Sequence, residues 1–288
     1  MTSTWSLMLF AAFAVIGGAA ALTVAVGEWR GLSVPLLQRM TLAAIIALAA
    51  GIASAVLSLG RPALVFGALA NPHSGVFREL VSTGAALIFL VLYAAALWRG
   101  ASALTCRVLS CAAGLCGLLS AASVGAALYM PWHTGWHTVT IAFPAALWAV
   151  AGAAALSALL LEIENAEEAG EDEELLAETE RARALAAPLS LLPAVGIAVY
   201  LAALAWTAAP TDAPTVSRLV SGDLALPFWA GAGLIGTLIP FAALFLTRRR
   251  PMNAFVVILV VILAAVGTAA FEFAVSQLGG SVWHFFQR

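Results

Sequence analysis

Lysine is absent from the chain, and all 13 basic residues are arginine. That removes phosphate-loop nucleotide hydrolysis of the Walker type, which needs its lysine, and Schiff-base catalysis, which needs an amine. Charge of either sign is scarce, at 10% of 288 residues, where soluble chains carry about a quarter. Only three cysteines occur, Cys106, Cys111 and Cys116, all inside one apolar run. Their spacing fits neither a disulfide framework nor a zinc site, so they read as small buried hydrophobes. The amino terminus lacks a basic segment and an evident small-residue cleavage site, so the first run is expected to be a retained helix rather than a signal peptide.

What is present is apolar. Hydrophobic residues make up 63% of the chain, with a mean hydropathy of +1.02. A soluble domain of this length cannot bury so much apolar surface, whereas about 20 apolar residues span a bilayer core as a helix. Eight runs can be drawn, at roughly 5–27, 41–59, 80–98, 104–129, 140–161, 185–208, 224–246 and 253–276. The expected fold is all-α, a single domain over residues 1–288 built as a bundle of eight transmembrane helices. Glycine and alanine recur in every run, as close helix packing in lipid requires. Pro144 and Pro240 fall inside runs and are expected to kink them.

Arginine counts give the orientation. The first, third, fifth and seventh connections, with nearby helix ends, hold nine: Arg30, Arg39, Arg99, Arg107, Arg181, Arg183 and Arg248 to Arg250. The other side holds Arg61, Arg78, Arg218 and Arg288. The bias predicts both termini outside the cytoplasm. It also places a cytoplasmic loop at about 162–184, which carries ten acidic residues and reads as a short solvated helix. Acidic residues contribute little to orientation, so the loop does not reverse it.

On this topology His73, His133, His137 and His284 all lie on the outer side, and the middle of the membrane is nearly free of ionisable groups. A secondary transporter builds its site near the midplane, and a channel needs polar groups along a continuous path; the pattern here offers polar groups at one surface. Histidines in loops or at the carboxyl-terminal tail do not suit bis-histidine haem. The His133/His137 pair has metal-binding spacing if helical, but no acidic third ligand stands near it, and no metal site is expected.

The stretch "LSLGRPALVFGALANPHSGVFREL", residues 57–80, concentrates the remaining polarity. Glu79 opens the third run at its outer end, and Glu272 lies about one turn from the outer end of the eighth. A carboxylate at a helix amino terminus has a structural reading as a cap favoured by the helix dipole. It also has a functional reading as an acid. Arg61, Asn71, His73 and Arg78 flank an apolar segment long enough to fold back on the membrane surface, which suits a ligand with a polar head and a lipid tail.

"LGRP", then a phenylalanine and an asparagine, then "RELVSTG" opening a helix, resembles the membrane-anchor subunit of dimethyl-sulfoxide-reductase-type molybdoenzymes. The helix count, outer termini and length agree with that family, so the resemblance covers nearly the whole chain. It implies an anchor in the bacterial cytoplasmic (inner) membrane that oxidises menaquinol in anaerobic respiration. No haem is implied. The implied partners are a ferredoxin-like iron–sulfur subunit and a molybdopterin catalytic subunit, which hold the clusters and the pterin. The family's acidic residue tied to quinol oxidation falls on Glu79, its glycine on Gly60 and its proline on Pro62. Where the best-known members carry a histidine two residues before that glycine, this chain has Ser58; the proton-accepting role there is lost or moved, with His73 the nearest replacement. The quinol site expected is therefore Glu79, Arg61, His73, Arg78, Gly60 and Pro62, with Glu79 the proton acceptor. The alternatives left open are a secondary transporter of a small solute or ion and a purely structural anchor. The terminal substrate and the direction of electron flow belong to other chains.

Overall fold

The computed structural model describes residues 2–58, 66–67, 70–131, 135–167, 173–207 and 213–278. Among them every regular element is helical. The order is α1 (Thr2–Arg30), α2 (Val34–Ser58), α3 (Gly75–Trp98), α4 (Ala103–Leu128), a 3₁₀ turn (Val139–Ala142), α5 (Phe143–Glu167), α6 (Glu173–Leu189), α7 (Leu192–Thr207) and α8 (Ala213–Val220). A π-helical segment, Leu226–Leu238, then continues as the α-helix Ile239–Thr247, together α9, and α10 (Ala254–Leu278) follows. Eight of these helices or helix pairs are long and apolar enough to cross a membrane, with α6 and α7 forming one span, Glu173–Trp206. This is a multi-pass, all-helical membrane protein.

Local chemistry sets the helix ends. α1 and α3 both stop at glycines with positive φ, Gly31 at 71° and Gly100 at 63°, the left-handed conformation that terminates helices without a Cβ penalty. Ser74 caps α3, its Oγ accepting from the Phe77 N–H at 3.0 Å, and Ser102 caps α4 through the Thr105 N–H at 3.2 Å. Because Ser74 supplies the cap, α3 begins five residues before the hydropathy-based boundary. Glu79 then lies in the second turn instead of opening the helix, so the cap reading of its carboxylate does not hold. α2 likewise begins at Val34 rather than 41, with Pro35 tolerated in its first turn.

The two prolines expected to kink spans sit where helix type changes. Pro144 is in the first turn of α5, directly after the 3₁₀ turn. Pro240 is in the first turn of the α-helical half of α9. A proline there frees the carbonyl four residues earlier, Gly236, and the indole Nε1 of Trp148 donates to that oxygen at 2.9 Å, the kind of rescue a span needs where no water is available. Gly236 also meets Gly267 of α10 so closely that an added Cβ would lie 2.5 Å from its Cα; only glycine fits this crossing.

The acidic region is less of a loop than its composition predicts. Residues 162–167 complete α5, and α6 starts at Glu173. α6 packs against the bundle, with Thr179, Ala186 and Ala187 buried. The principal core joins α1, α3, α4, α5, α7, α9 and α10 through Phe10, Leu80, Val124, Trp148, Tyr200, Phe228 and Phe271. Large side chains such as Leu42, Ile46, Leu115, Leu246 and Phe255 remain exposed along the spans, as a lipid-facing surface requires. Tryptophans stand exposed near both ends of the bundle: Trp5 and Trp206 towards one, Trp29 and Trp98 towards the other, the positions of interfacial belts.

Candidate functional site

The bundle has two chemically distinct ends. One gathers most of the arginines; the other carries Glu79 and Glu272. At the arginine-rich end four carboxylates have partners. Glu164, buried on α5, accepts from the Ser33 N–H at 3.1 Å and the Ser33 hydroxyl at 2.8 Å, which satisfies the start of α2. Glu28 accepts from the Tyr93 hydroxyl at 2.6 Å. Glu162 pairs with Arg183, and Glu178 with Arg30.

The opposite end differs. Glu79 on α3 is 3% exposed and Glu272 on α10 is fully buried. One oxygen of Glu79 and both oxygens of Glu272 lack any hydrogen-bond partner among the described residues. Both backbones are rigidly held. Leu80, beside Glu79, and Phe271, beside Glu272, both belong to the principal core. Phe271 also packs edge-on against Trp148, at 6.0 Å between centroids, and Tyr200, at 5.6 Å. An unpaired ionised carboxylate in an apolar interior is costly, so such a group needs a proton or a cation. Glu79 and Glu272 are two such carboxyls, both towards the end of the bundle opposite the arginine-rich one.

The other expected residues fall as follows. Arg78 is half-buried, and its guanidinium donates to the Ala126 carbonyl at 3.1 Å, near the carboxyl end of α4, so it ties α3 to α4. His73 is exposed in the turn before α3, its N–H donating to Asn71 Oδ1 at 3.1 Å. Gly60, Arg61, Pro62, His133 and His284 lie outside the described residues, and Ser58 ends α2. Of the apolar segment expected to fold back on the membrane, Phe66, Gly67 and Ala70 are described; Phe66 and Gly67 are helical and exposed. Among the described residues no three His, Cys, Asp or Glu side chains converge as metal ligands.

Sequence reading left Glu272 without a role. Its one signal was an acid well inside an apolar run; that both its oxygens are buried without a donor among the described residues is a tertiary fact. Tyr200 went unnoticed altogether. Its hydroxyl is buried, donates to the Gly135 carbonyl at 2.8 Å, and lies within electrostatic reach of Glu272. The segment it contacts seals this end of the bundle, with Trp136 Nε1 donating to the Val275 carbonyl near the end of α10 at 2.8 Å. No protein-family model and no curated protein matches the chain.

Proposed function

We propose that this chain is the membrane-anchor subunit of a respiratory molybdoenzyme complex and oxidises menaquinol at its Glu79 end. The observation that carries the reading is the pair of buried, unpartnered carboxyls, Glu79 and Glu272, at the end of an eight-span bundle that the arginine distribution puts outside the cytoplasm. The resemblance of residues 57–86 to the anchors of dimethyl-sulfoxide-reductase-type enzymes supports it.

Quinol oxidation releases two protons and two electrons. Glu79 takes each proton as general base. Its carboxyl is already stripped of water, so proton exchange competes with no strong hydrogen bond at the free oxygen. The electrons leave to an iron–sulfur cluster of a ferredoxin-like partner docked on the outer loops, which passes them to a molybdopterin subunit. His73 is exposed beside this end and is available to the quinol head or the partner. An apolar groove of about 460 Å³ between α1 and α10, lined by Trp5, Phe13, Ile16, Ile262 and Ala265, opens at the same end and fits a polyisoprenoid tail. In this reading the complex sits in the bacterial cytoplasmic membrane with both termini of the anchor outside.

One feature favours a rival reading, proton-linked transport of a small solute. The 13-residue π-helical segment of α9 is irregular backbone inside a bundle, and such segments often mark functional sites. Purification from native membranes separates the two. Stoichiometric menaquinone together with two co-purifying redox subunits is the expected result. Solute flux in liposomes without bound quinone would overturn it in favour of transport, and partner subunits without quinone would leave a structural anchor.

A further inference from the structure

A second apolar groove, of about 430 Å³, lies between α1, α2, α5 and α10. It occupies the arginine-rich half of the bundle. Its α2 wall runs from Leu36 to Ala43, near the start of that helix, and its α5 wall from Leu156 to Ile163, near the end. The walls are fixed before anything binds, because Leu159 and Val261 belong to one buried cluster and Ile16, Met40 and Ile163 pack against it. Ile258 is 53% exposed and Ala43 is exposed, so the groove opens sideways to the bilayer. Its lining carries a single charge, Arg39. Arg39 belongs to a membrane span, Val34–Leu57, about 7.5 Å along the axis from the helix start at 1.5 Å per residue. Its exposed side chain has no hydrogen-bond, ion-pair or ring partner among the described residues. Four other arginines on spans are engaged: Arg30 by Glu178, Arg183 by Glu162, Arg78 by the Ala126 carbonyl, and Arg107 over the Trp29 ring at 5.3 Å. A charge at this depth is costly until an anion or water meets it. The alkyl stem of arginine lies along apolar surface while its head rises towards the lipid headgroups.

We propose that this groove holds one anionic phospholipid of the leaflet at the arginine-rich end, its phosphate on the Arg39 guanidinium and an acyl chain in the groove. Charge and shape select this occupant. A guanidinium pairs with a phosphate through two parallel N–H donors, and the lining offers no carboxylate in its place. Glu162 and Glu164, which flank Ile163 on α5, are already committed to Arg183 and Ser33 and do not compete for Arg39. Basic pockets between spans are where anionic headgroups bind, and walls of leucine, isoleucine and alanine suit a hydrocarbon chain. The two grooves meet at Ile16 and Ile262, which line both, so an isoprenoid tail reaching through from the Glu79 end is the competing occupant. Such a tail ends in hydrocarbon and leaves Arg39 without an anion. A phospholipid seated here touches four helices at once, so its binding stabilises the folded bundle. The inference is independent of quinol oxidation and stands or falls separately from it.

The test uses the full chain purified in detergent, stripped of lipid, and titrated with phosphatidylglycerol or phosphatidylcholine of identical acyl chains. Native mass spectrometry counts the lipids held, and the thermal midpoint reads the stabilisation. One tightly held phosphatidylglycerol is expected, preferred over phosphatidylcholine. Arg39→Gln should weaken phosphatidylglycerol binding about fivefold, the effect of one basic residue at an anionic lipid surface, and erase the preference. Ala43→Trp, one turn deeper on the same face of α2, fills the groove and should abolish retention of both lipids. Arg249→Gln, at the same end but outside the groove, should bind as the parent does. Parental phosphatidylglycerol affinity in Arg39→Gln would overturn the proposal. So would an equal loss in Arg249→Gln, which means diffuse charge attraction, or phosphatidylcholine held by the parent as tightly as phosphatidylglycerol. Added menaquinone that binds the parent and is lost in Ala43→Trp, with phosphatidylglycerol binding unchanged, would give the groove to an isoprenoid tail and overturn the proposal too. If Ala43→Trp fails to fold, the ratio of the two phospholipids on Arg39→Gln decides alone.

Discussion

Glu164 and Glu272 are both buried glutamates near the ends of long apolar helices, and they are treated in opposite ways. Glu164 is fixed by Ser33, and its neighbours Glu162 and Glu178 have arginines. Each carboxylate there closes a gap between elements: α5 to the start of α2, α5 to α6, α1 to α6. At the other end Glu272 and one oxygen of Glu79 are left without donors, although serine and threonine hydroxyls are close at hand in the same helices. Ser82, for instance, spends its hydroxyl on the Arg78 carbonyl at 2.7 Å, and Thr83 shares a 2.7 Å hydrogen bond with Ser120 of α4. On the proposed function, the difference offers a way to tell a structural acid from a working one in a membrane protein. Burial alone does not separate them; the presence or absence of donors does.

Breaking the structural side of this contrast should have the largest effect on stability. Glu164→Ala leaves the Ser33 N–H and hydroxyl at the start of α2 without their acceptor, and a loss of about 1.5–3 kcal/mol is expected for hydrogen bonds to a charged group, read as a lower thermal midpoint in detergent. Quinol turnover per folded molecule should stay near wild type. A Glu164→Ala protein as stable as the parent would remove the distinction drawn here.

The exposed pair at the Glu79 end should matter least. Arg218 donates to both oxygens of Asp223, at 2.9 and 2.7 Å, and this hydrogen-bonded guanidinium holds the Asp223 carboxyl below the usual aspartate range. A lowered folded-state value means the pair stabilises above the ordinary aspartate pKa and loses that contribution as pH falls through the lowered value. Asp223→Asn is expected to cost about 0.2–1 kcal/mol, as for other exposed ion pairs, and to flatten the acid limb of stability against pH. An effect as large as that of Glu164→Ala would show that exposure is a poor guide to how this pair is used.

Much of the fold was legible because hydropathy is a local property. All eight runs correspond to spans, with most ends within a few residues. The misses came where polar residues belong to helices. The third apolar run was drawn from residue 80 with Glu79 opening it, yet a Ser74 cap and five more residues of helix precede the run. The acidic stretch looked solvated because composition cannot show that one face of α6 packs on the bundle. Nothing local announces that Trp148, 92 positions before Pro240, supplies the donor to the Gly236 carbonyl. The candidate site divides the same way. Glu79 stood out in a polar stretch with a recognisable pattern, whereas the donorless burial of Glu272 and the Tyr200 hydrogen bond to Gly135 depend on how distant elements pack.

The most direct test of the account is Glu79→Gln in the assembled complex, with two activities measured on one preparation. The substitution keeps the side chain's shape and removes the group that takes a proton. Quinol-dependent turnover is predicted to fall by about 10²–10⁴-fold, the range for losing a general acid–base group, while turnover from a soluble donor that bypasses the membrane stays near wild type. Wild-type quinol turnover in Glu79→Gln would contradict the account.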